Sequence, residues 1–577
     1  MAERRKVKKG ARFAALVLGA LVATALAQQK PAEEIPPLLK RVTTRLVLVD
    51  VVVTDKQGHP VTGLTANDFV LLEDGKPHPI ASFSFEQPAA EPVAAPPPLP
   101  QHVHTNRAQY RLPPGPLTIL LLDALNTPTG DQVTARRQMI RYLQSQAKFT
   151  QHTAVLALTN RLILLQDFTT DPELLEAAIE QYATQPSTVL ARADQNTELP
   201  SNLSLIPAEA LQQLLERLRR LEAEEVAQST DQRVGATLAA LRTMASAVSG
   251  YPGRKNVIWV STGFPFTLFA TETENRDLFR TYGREIARTA QALTDAQVAV
   301  YPVDARGLAG YAAADASVSG RITLRETARR PVGSARTGAA MTDELDYQSE
   351  KLLSTHQTMT QLAEETGGRA MLNRNDIDAA VALSVADGAT YYSLAYYPTN
   401  KSWNGKFRRI EVRVQREGAR ARHRRGYYAF DSFPAQESGS RDAEMRAALG
   451  GPFPSTALTF LARVAPPAPA NQARVRVEFL VDAAGLLFRL GEEGRQQCSV
   501  DFLAAAYSPE GKVITSASQT INAALRPDQY TRVLEGGLPY LMEMDLAPGR
   551  YLLRLVVRDN QTGLLGSLDV PLILDTP

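Results

Sequence analysis

Two acidic residues stand where a protein can use them. Asp123 ends the run Leu117-Thr-Ile-Leu-Leu-Leu, and Asp304 ends Val298-Ala-Val-Tyr-Pro-Val. Both runs are apolar with little polar alternation, which suits strands buried on both faces in the middle of a parallel sheet covered by helices. A carboxylate at the end of such a strand lies at the carboxyl edge, where open α/β sheets place their ligands. There it can coordinate a hard cation or accept hydrogen bonds from donors of its own loop. The expectation is that the strand before Asp123 is a middle sheet member and delivers that acid to an open, ligand-accessible rim.

Hydrolytic chemistry has no comparable signature. The chain holds no Gly-x-Ser-x-Gly elbow, no His-Glu-x-x-His, and no glycine-rich Lys-Ser/Thr phosphate loop. None of the seven histidines falls at an expected carboxyl strand end, and His152 precedes a strand, which puts it at the opposite edge from Asp123. The one cysteine, Cys498, excludes an intramolecular disulfide framework and a cysteine-based zinc site. A formal charge of +2 gives no sign of a nucleic-acid partner.

The elements that must hold the acids alternate along the chain. After Asp123, Asp131 can cap a helix through Val133, Ile140 and Leu143. Strands follow at 153–158 and 162–165, then a helix opening at Asp171-Pro172 with proline in its first turn. Leu211, Leu214, Leu215, Leu218 and Leu221 mark a long amphipathic helix, set to pack on the core or to dock a partner. The strand Arg254-Lys-Asn-Val-Ile-Trp-Val260 exits through Ser261-Thr-Gly-Phe-Pro265, and a helix around 278–293 leads to the strand ending at Asp304. Residues 307–348, rich in Ala, Gly, Ser and Thr, read as an inserted loop on the same edge as Asp123, placed to act as a lid or recognition surface. A helix through Leu352 and Leu362, the segment Arg369-Ala-Met-Leu372 and a helix from Asp376 complete the alternation. The sum is a doubly wound, mostly parallel sheet over 116–389.

Several segments, in order, carry a resemblance. The strand, its terminal Asp123, a short polar loop and a helix resemble the opening of a von Willebrand factor type A domain, whose loop reads Asp-x-Ser-x-Ser and holds a divalent cation. Val51-Val-Val-Thr-Asp-Lys-Gln-Gly58, Val61-Thr-Gly-Leu-Thr-Ala-Asn-Asp-Phe69, Leu72-Glu-Asp-Gly-Lys76, Gly253-Arg-Lys-Asn-Val-Ile-Trp-Val-Ser261, Ala363-Glu-Glu-Thr-Gly-Gly368 and Tyr391-Tyr-Ser-Leu-Ala-Tyr-Tyr-Pro398 look like the VWFA-related proteins abundant in Acidobacteria. The resemblance spans residues 40–430 and implies a Rossmann-like von Willebrand A fold. It also implies a site for Mg²⁺ or Mn²⁺ at the top of the sheet. Asp123 and Thr127 match the first and last positions of the loop motif, but Leu125 replaces the middle serine and Ser261-Thr262 stand where a later acid belongs. Asn126, Thr127 and Ser261 are oxygen donors that could compensate, with Asp304 as a second carboxylate. If its strand lies two places from the centre, Asp304 is about 10 Å away at roughly 4.8 Å per strand. The competing reading is that the metal site is lost and Asp123 caps donors in its own loop.

Smaller units flank this domain. Residues 43–86 read as a β unit with a hairpin turn at Asp74-Gly75, and 390–430 as antiparallel strands. Neither is large enough to bury a core, so the two are expected to pair, with the α/β domain inserted between them. Residues 87–115 are proline-rich, a linker or surface strap, and 431–455 form a second linker. The basic run Lys406 to Arg425 reads as a solvated strand face or as a site for anionic glycan or lipid headgroups. Residues 456–577 alternate as short strands with turn signals, which points to an immunoglobulin-like sandwich. At the start, Arg4, Arg5, Lys6, Lys8, Lys9 and Arg12 precede an apolar stretch from Phe13 to Leu26 and the small-x-small site Ala25-Leu-Ala27. This reads as a signal peptide of residues 1–27, cleaved after Ala27 and too short to be a membrane anchor, with export to periplasm, outer surface or medium. The functional expectation is an exported, non-catalytic binding module that engages a protein or cell-envelope partner through the Asp123 edge. The alternatives are a purely architectural envelope protein and a hydrolase.

Overall fold

The computed structural model describes residues 46–87, 96–113, 115–146, 149, 151–183, 208–263, 276–306, 355–430, 445–465 and 474–574. Signal-peptide and linker expectations at 1–45 and 431–444, and the loop at 307–348, lie outside them. No helix among the described residues is long and apolar enough to cross a membrane.

The chain opens with β1 (Val47–Thr54), β2 (Phe69–Glu73), β3 (Lys76–His78) and β4 (Ser82–Glu86). Glu73 pairs with Lys76 across a two-residue turn. Asp74 and Gly75 both have positive φ there, 48° and 77°, the backbone that a tight hairpin needs and that Asp-Gly supplies cheaply. β5 (Val103–Thr105) follows.

The α/β unit then runs as β6 (Leu117–Asp123), α1 (Thr129–Gln144), β7 (His152–Leu158), β8 (Leu162–Thr169), α2 (Pro172–Gln181), α3 (Ala208–Val248), β9 (Lys255–Ser261), α4 (Arg276–Asp295), β10 (Val298–Asp304), a helix at 355–366 and α5 (Ile377–Asp387). Its five-stranded sheet has the order β10-β9-β6-β7-β8, so β6 is central. The unbroken apolar run of β6 has a direct cause. Leu117, Ile119 and Leu121 pack against Leu241, Met244 and Val248 of α3, while Leu120 and Leu122 pack against Met139 and Leu143 of α1 and Ile179 of α2. Each fully buried leucine contributes about 2 kcal/mol of transfer free energy. Four strands are parallel and β8 is antiparallel to β7. Residues 159–161 are too short for a crossover, so a hairpin is the available connection. Met371 adds an isolated parallel bridge to Val303 beyond β10. Leucines 211–221 fall in the first half of α3, where most side chains lie outside the described residues; its Val234–Val248 half packs on the core.

The chain continues through β11 (Tyr391–Tyr396), β12 (Phe407–Val414), β13 (Arg420–Arg422) and β14 (Gly426–Tyr428). β1 pairs with both β11 and β13, and β2 pairs with β12. The resulting sheets, β13-β1-β11-β4 and β14-β12-β2-β3, close on one core that includes Val49, Phe69, Leu71, Tyr392, Leu394 and Ile410. The two flanks thus form one sandwich, and the α/β unit lies between them in sequence. Of the basic run, Arg408, Arg422 and Arg424 turn inward, while Lys406, Arg409, Arg413, Arg416, Arg420 and Arg425 are exposed. Arg408 is buried beside Glu73 and over Trp403, Arg413 pairs with Glu411, Arg422 with Asp387 and Arg425 with Glu364, and Arg424 donates to the Leu48 carbonyl.

The last unit comprises β15 (Phe460–Ala465), β16 (Arg474–Val481), β17 (Arg489–Leu490), β18 (Gln496–Tyr507), β19 (Val513–Leu525), α6 (Pro527–Gly536), β20 (Leu538–Asp545), β21 (Gly549–Asp559) and β22 (Leu565–Leu574). Two antiparallel sheets share a core in which the Phe460, Phe479 and Phe502 rings meet, with Cys498 buried at 3% exposure. The first sheet, β20-β16-β15-β5, takes β5 from the proline-rich segment, with Thr105 opposite Leu461. Residues 101–111 contain no proline, so the middle of this strap is free to make ladder bonds. Beside β5 the fully buried Asn106 donates to the Ser455 and Leu458 carbonyls and accepts from the Phe460 amide.

Asn106→Ala should therefore leave three backbone groups without that partner and lower stability by roughly 2–4 kcal/mol in urea denaturation. A loss below about 1 kcal/mol would show that the strap is not part of the cooperative fold.

Candidate functional site

Strand order reverses between β6 and β9, which makes the gap outside their carboxyl ends the natural crevice of the sheet. Alternation along each strand decides what reaches it. Asp123, two residues beyond Leu121, and Ser261, two beyond Trp259, share the face covered by α3. The sequence reading is right that β6 is central. It is wrong about the rim: Asp123, Asn126, Thr127 and Ser261 are only 3%, 2%, 1% and 0% exposed.

Donors from three elements fill the space around the acid. One carboxylate oxygen of Asp123 accepts from the Asn126 amide at 2.9 Å. The other accepts from Asn126 Nδ2 at 2.9 Å, Trp259 Nε1 at 3.0 Å and Ser261 Oγ at 2.9 Å. Three of the four donors converge on one oxygen, and the other oxygen accepts a single bond. Burial pushes the Asp123 carboxyl up, while the bonds from Asn126, Ser261 and Trp259 pull it back down. Burial outweighs these bonds, so the net direction is upward, and the Ser261 hydroxyl, which also lies 2.9 Å from the Gly263 carbonyl, can accept as well as donate.

The loop is tied down further by a second layer of bonds. Asn126 Nδ2 also reaches Thr237 Oγ1 at 3.1 Å, and Arg233 Nε donates to Asn126 Oδ1 at 3.1 Å. Thr127 Oγ1 accepts from the Thr262 amide, and Gln132 Nε2 donates to the Thr127 and Ala124 carbonyls. Leu125, in the place of the motif's middle serine, turns into the core beside Ile119, Leu121 and Trp259. These residues do not fit a divalent cation. Three donors crowd one carboxylate oxygen, an indole N–H cannot be a ligand, and the Asn126 oxygen already faces a guanidinium.

Asp304 reaches the same edge but not the same cluster. It lies opposite Ser261 on β10, two strands from β6. Its carboxylate accepts from Arg306 Nε at 2.9 Å, Arg306 Nη2 at 2.8 Å, the Arg306 amide at 3.0 Å and His356 Nε2 at 2.7 Å. Burial works to raise its pKa, but the bonds from His356 and then Arg306 outweigh it and hold the carboxyl below the ordinary value of 3.8. The structure thus brings Asp123, Asn126, Thr127 and Ser261 together and leaves Asp304 with its own partners. Among the described residues no group of three or more His, Cys, Asp or Glu could hold a metal. Towards α1 and α2 a small cavity is lined by Leu122, Asp123 itself, Thr127, Gln132, Arg136 and Tyr182, and there burial and then the Asp123 charge push the Tyr182 hydroxyl up.

Sequence reasoning missed Trp259, Arg233, Thr237 and His356. Three of them left a signal. Arg233 and Thr237 are four apart and so share a helix face, and Trp259 precedes Ser261 by two and so shares its strand face. His356 is brought to Asp304 by a helix rather than by a strand end, which the strand-based reading could not see.

Two outcomes follow. Asp123→Asn sets an amide NH₂ among donors, so it should cost about 2–4 kcal/mol in thermal or urea unfolding. Neither Mg²⁺ nor chelator should shift the wild-type midpoint; a rise with Mg²⁺ would restore the cation reading. For Asp304, a depressed native pKa means its stabilisation is complete above the ordinary aspartate value and fades as pH falls through the depressed one. Asp304→Asn should lower stability at neutral pH and flatten the acid limb of the urea midpoint below about pH 4.

No family model matches the chain, and no curated protein matches it in sequence. Among solved structures, an aerotolerance-related membrane protein from Bacteroides fragilis is similar at 12% identity over 47% of this chain and 98% of its own, with a TM-score of 0.22. The PilB minor pilin from Streptococcus sanguinis is similar at 8% identity over 48% of this chain and 61% of its own, with a TM-score of 0.23. A von Willebrand factor type A from Catenulispora acidiphila is similar at 11% identity over 64% of this chain and 80% of its own, with a TM-score of 0.17. At such TM-scores these likenesses carry no weight for site or function, and what stands is a mixed α/β chain with one largely parallel sheet and several antiparallel ones.

Proposed function

We propose that this chain is an exported, non-catalytic binding module of the von Willebrand A-like kind. It engages a protein or cell-envelope partner through the carboxyl edge of its five-stranded sheet. The flank sandwich and the C-terminal sheet pair, which we read as immunoglobulin-like, act as spacers. The observation that carries this reading is the closed Asp123 loop: the crevice where an α/β sheet holds a small ligand is filled by the chain's own donors. The edge is then a rigid platform, with Asp131, Val133 and Arg306 on its rim. Contact with a partner is by side chains, without a bridging Mg²⁺ or Mn²⁺. The pair of Asp304 and His356 is the one observation that favours a hydrolase instead. Against it, the Arg306 guanidinium on the same carboxylate compensates the charge that would make His356 a strong base.

A photo-crosslinking amino acid tests the face. Val133 on α1 is 42% exposed at the carboxyl edge, and Leu174 on α2 is 49% exposed at the amino edge, because β8 runs antiparallel. In the native host, a crosslinker at Val133 should give a discrete adduct with an envelope component, unchanged by chelator, and one at Leu174 should give none. Equal labelling from both positions, or none from Val133, would leave the architectural reading; an adduct abolished by chelator would reinstate the metal.

A further inference from the structure

β19 is 13 residues long, about twice the usual strand. It contains no charged residue and no proline. Among the described residues its strand partner is β18, with continuous register from Leu525 opposite Gln496 to Thr515 opposite Ala506. Along its other side, alternate residues therefore present N–H and C=O groups to no strand of the described residues. Natural sheets guard such an edge with lysine, proline, a bulge or a short strand. β19 has none of these within the stretch Thr515–Leu525.

The order of residues in β19 says what can cover it. Read outward from Gln519, the strand is nearly symmetric in character. Thr515, Ala517, Ile521, Ala523 and Leu525 form the partly buried row, and Ile514, Ser516, Ser518, Thr520, Asn522 and Ala524 the other. Antiparallel pairing with an identical strand about a two-fold axis through Gln519 sets Ala517 opposite Ile521 of the second copy. It likewise sets Ser518 opposite Thr520 and Ser516 opposite Asn522. Partly buried row meets partly buried row, small polar meets small polar, and no like charges face each other. A slip of one residue would set one row against the other, and a slip of two would set Gln519 against Ala517 or Ile521, so one register is selected. A two-fold contact requires the same surface on both subunits, which a strand of this symmetry supplies.

We propose that β19 pairs with β19 of a second copy, antiparallel and centred on Gln519, joining the two C-terminal sheets into one continuous sheet. The surface is distinct from the carboxyl edge of the α/β sheet and does not depend on how that edge is used. Sedimentation velocity of the full chain across a wide concentration range should show a monomer–dimer equilibrium. Gln519 is exposed, so Gln519→Lys is tolerated in the monomer but opposes two ammonium groups at the axis; it should weaken association by about tenfold or more, with circular dichroism unchanged. Register is tested separately. Ser516→Lys with Asn522→Lys should abolish the dimer, whereas Ser516→Lys with Asn522→Asp should keep it, because each introduced lysine then faces an introduced aspartate. Three results would overturn the proposal: a wild-type monomer throughout, a dimer indifferent to Gln519→Lys, or equal loss in both double variants.

Discussion

The carboxyl of Asp123 is buried, and much of the α/β unit is arranged around meeting its hydrogen bonds. An ion taken out of water costs several kcal/mol unless its lone pairs are met. Here they are met by dipoles rather than by a direct countercharge, with the nearest cation one residue removed, on the far side of Asn126. The requirement reaches outward. Trp259 and Ser261 must end β9 level with the end of β6, Asn126 must turn back over its own strand, and α3 must present Arg233 and Thr237 at one height. Any shift of α3 along its axis would break two bonds to Asn126 and, through it, loosen the acid.

A buried cation fixes the opposite edge of the sheet and joins it to the flank sandwich. Arg254, fully buried, donates to Tyr301 Oη at 3.1 Å, Asn256 Oδ1 at 3.2 Å and the Gly367 carbonyl at 2.5 Å, while its own amide donates to Tyr391 Oη at 2.8 Å. Tyr301 in turn donates to Asp387, which pairs with Arg422 of β13. One chain of polar contacts therefore runs from β9 through β10 and α5 into the sandwich. Leaving any member buried alone would cost more than the network gains, which gives such a weld its specificity. The sandwich is closed by the same device on a smaller scale, where buried Glu73 accepts from Tyr396 at 2.6 Å and Tyr427 at 2.9 Å.

What the sequence disclosed and what it concealed divide along one physical line. β6 was legible because helices cover both its faces, so nearly every residue had to be apolar. The Asp-Gly turn was legible because its backbone needs positive φ at both positions. These are local demands, written in adjacent residues. The partners of Asp123 were not legible in the same way, since Trp259, Arg233 and Thr237 come from elements more than a hundred residues away and their alignment is set by packing. The same holds for the antiparallel β8, whose apolar run looks like that of any interior strand while its edge position is set by a short turn. The basic run of β12 to β14 was legible only in part: Arg409, Arg413, Arg416, Arg420 and Arg425 are exposed as a solvated face expects, and three arginines are not. Charge counting treats arginines as surface, and Arg408, Arg422 and Arg424 are consumed by a buried glutamate, an aspartate from α5 and a backbone carbonyl.

Closure of the Asp123 loop changes what kind of recognition the carboxyl edge can support. A loop that holds a cation with an open coordination position binds an acidic group of its partner directly, at a strength set by the metal and lost with it. A loop closed by indole, amide, hydroxyl and, one step out, guanidinium donors offers no such position. If the carboxyl edge is used as proposed, recognition comes from the area and chemistry of the rim, where Val133 offers an exposed apolar surface and Asp131 lies within the field of Arg306 and Asp304. In that setting hot spots form around apolar and arginine anchors, exposed charges tune association rates more than affinity, and divalent ions drop out of the balance. The Asp123 brace would thus serve binding by stiffness alone: by fixing the loop before contact, it removes the ordering cost that a mobile edge would charge against every partner.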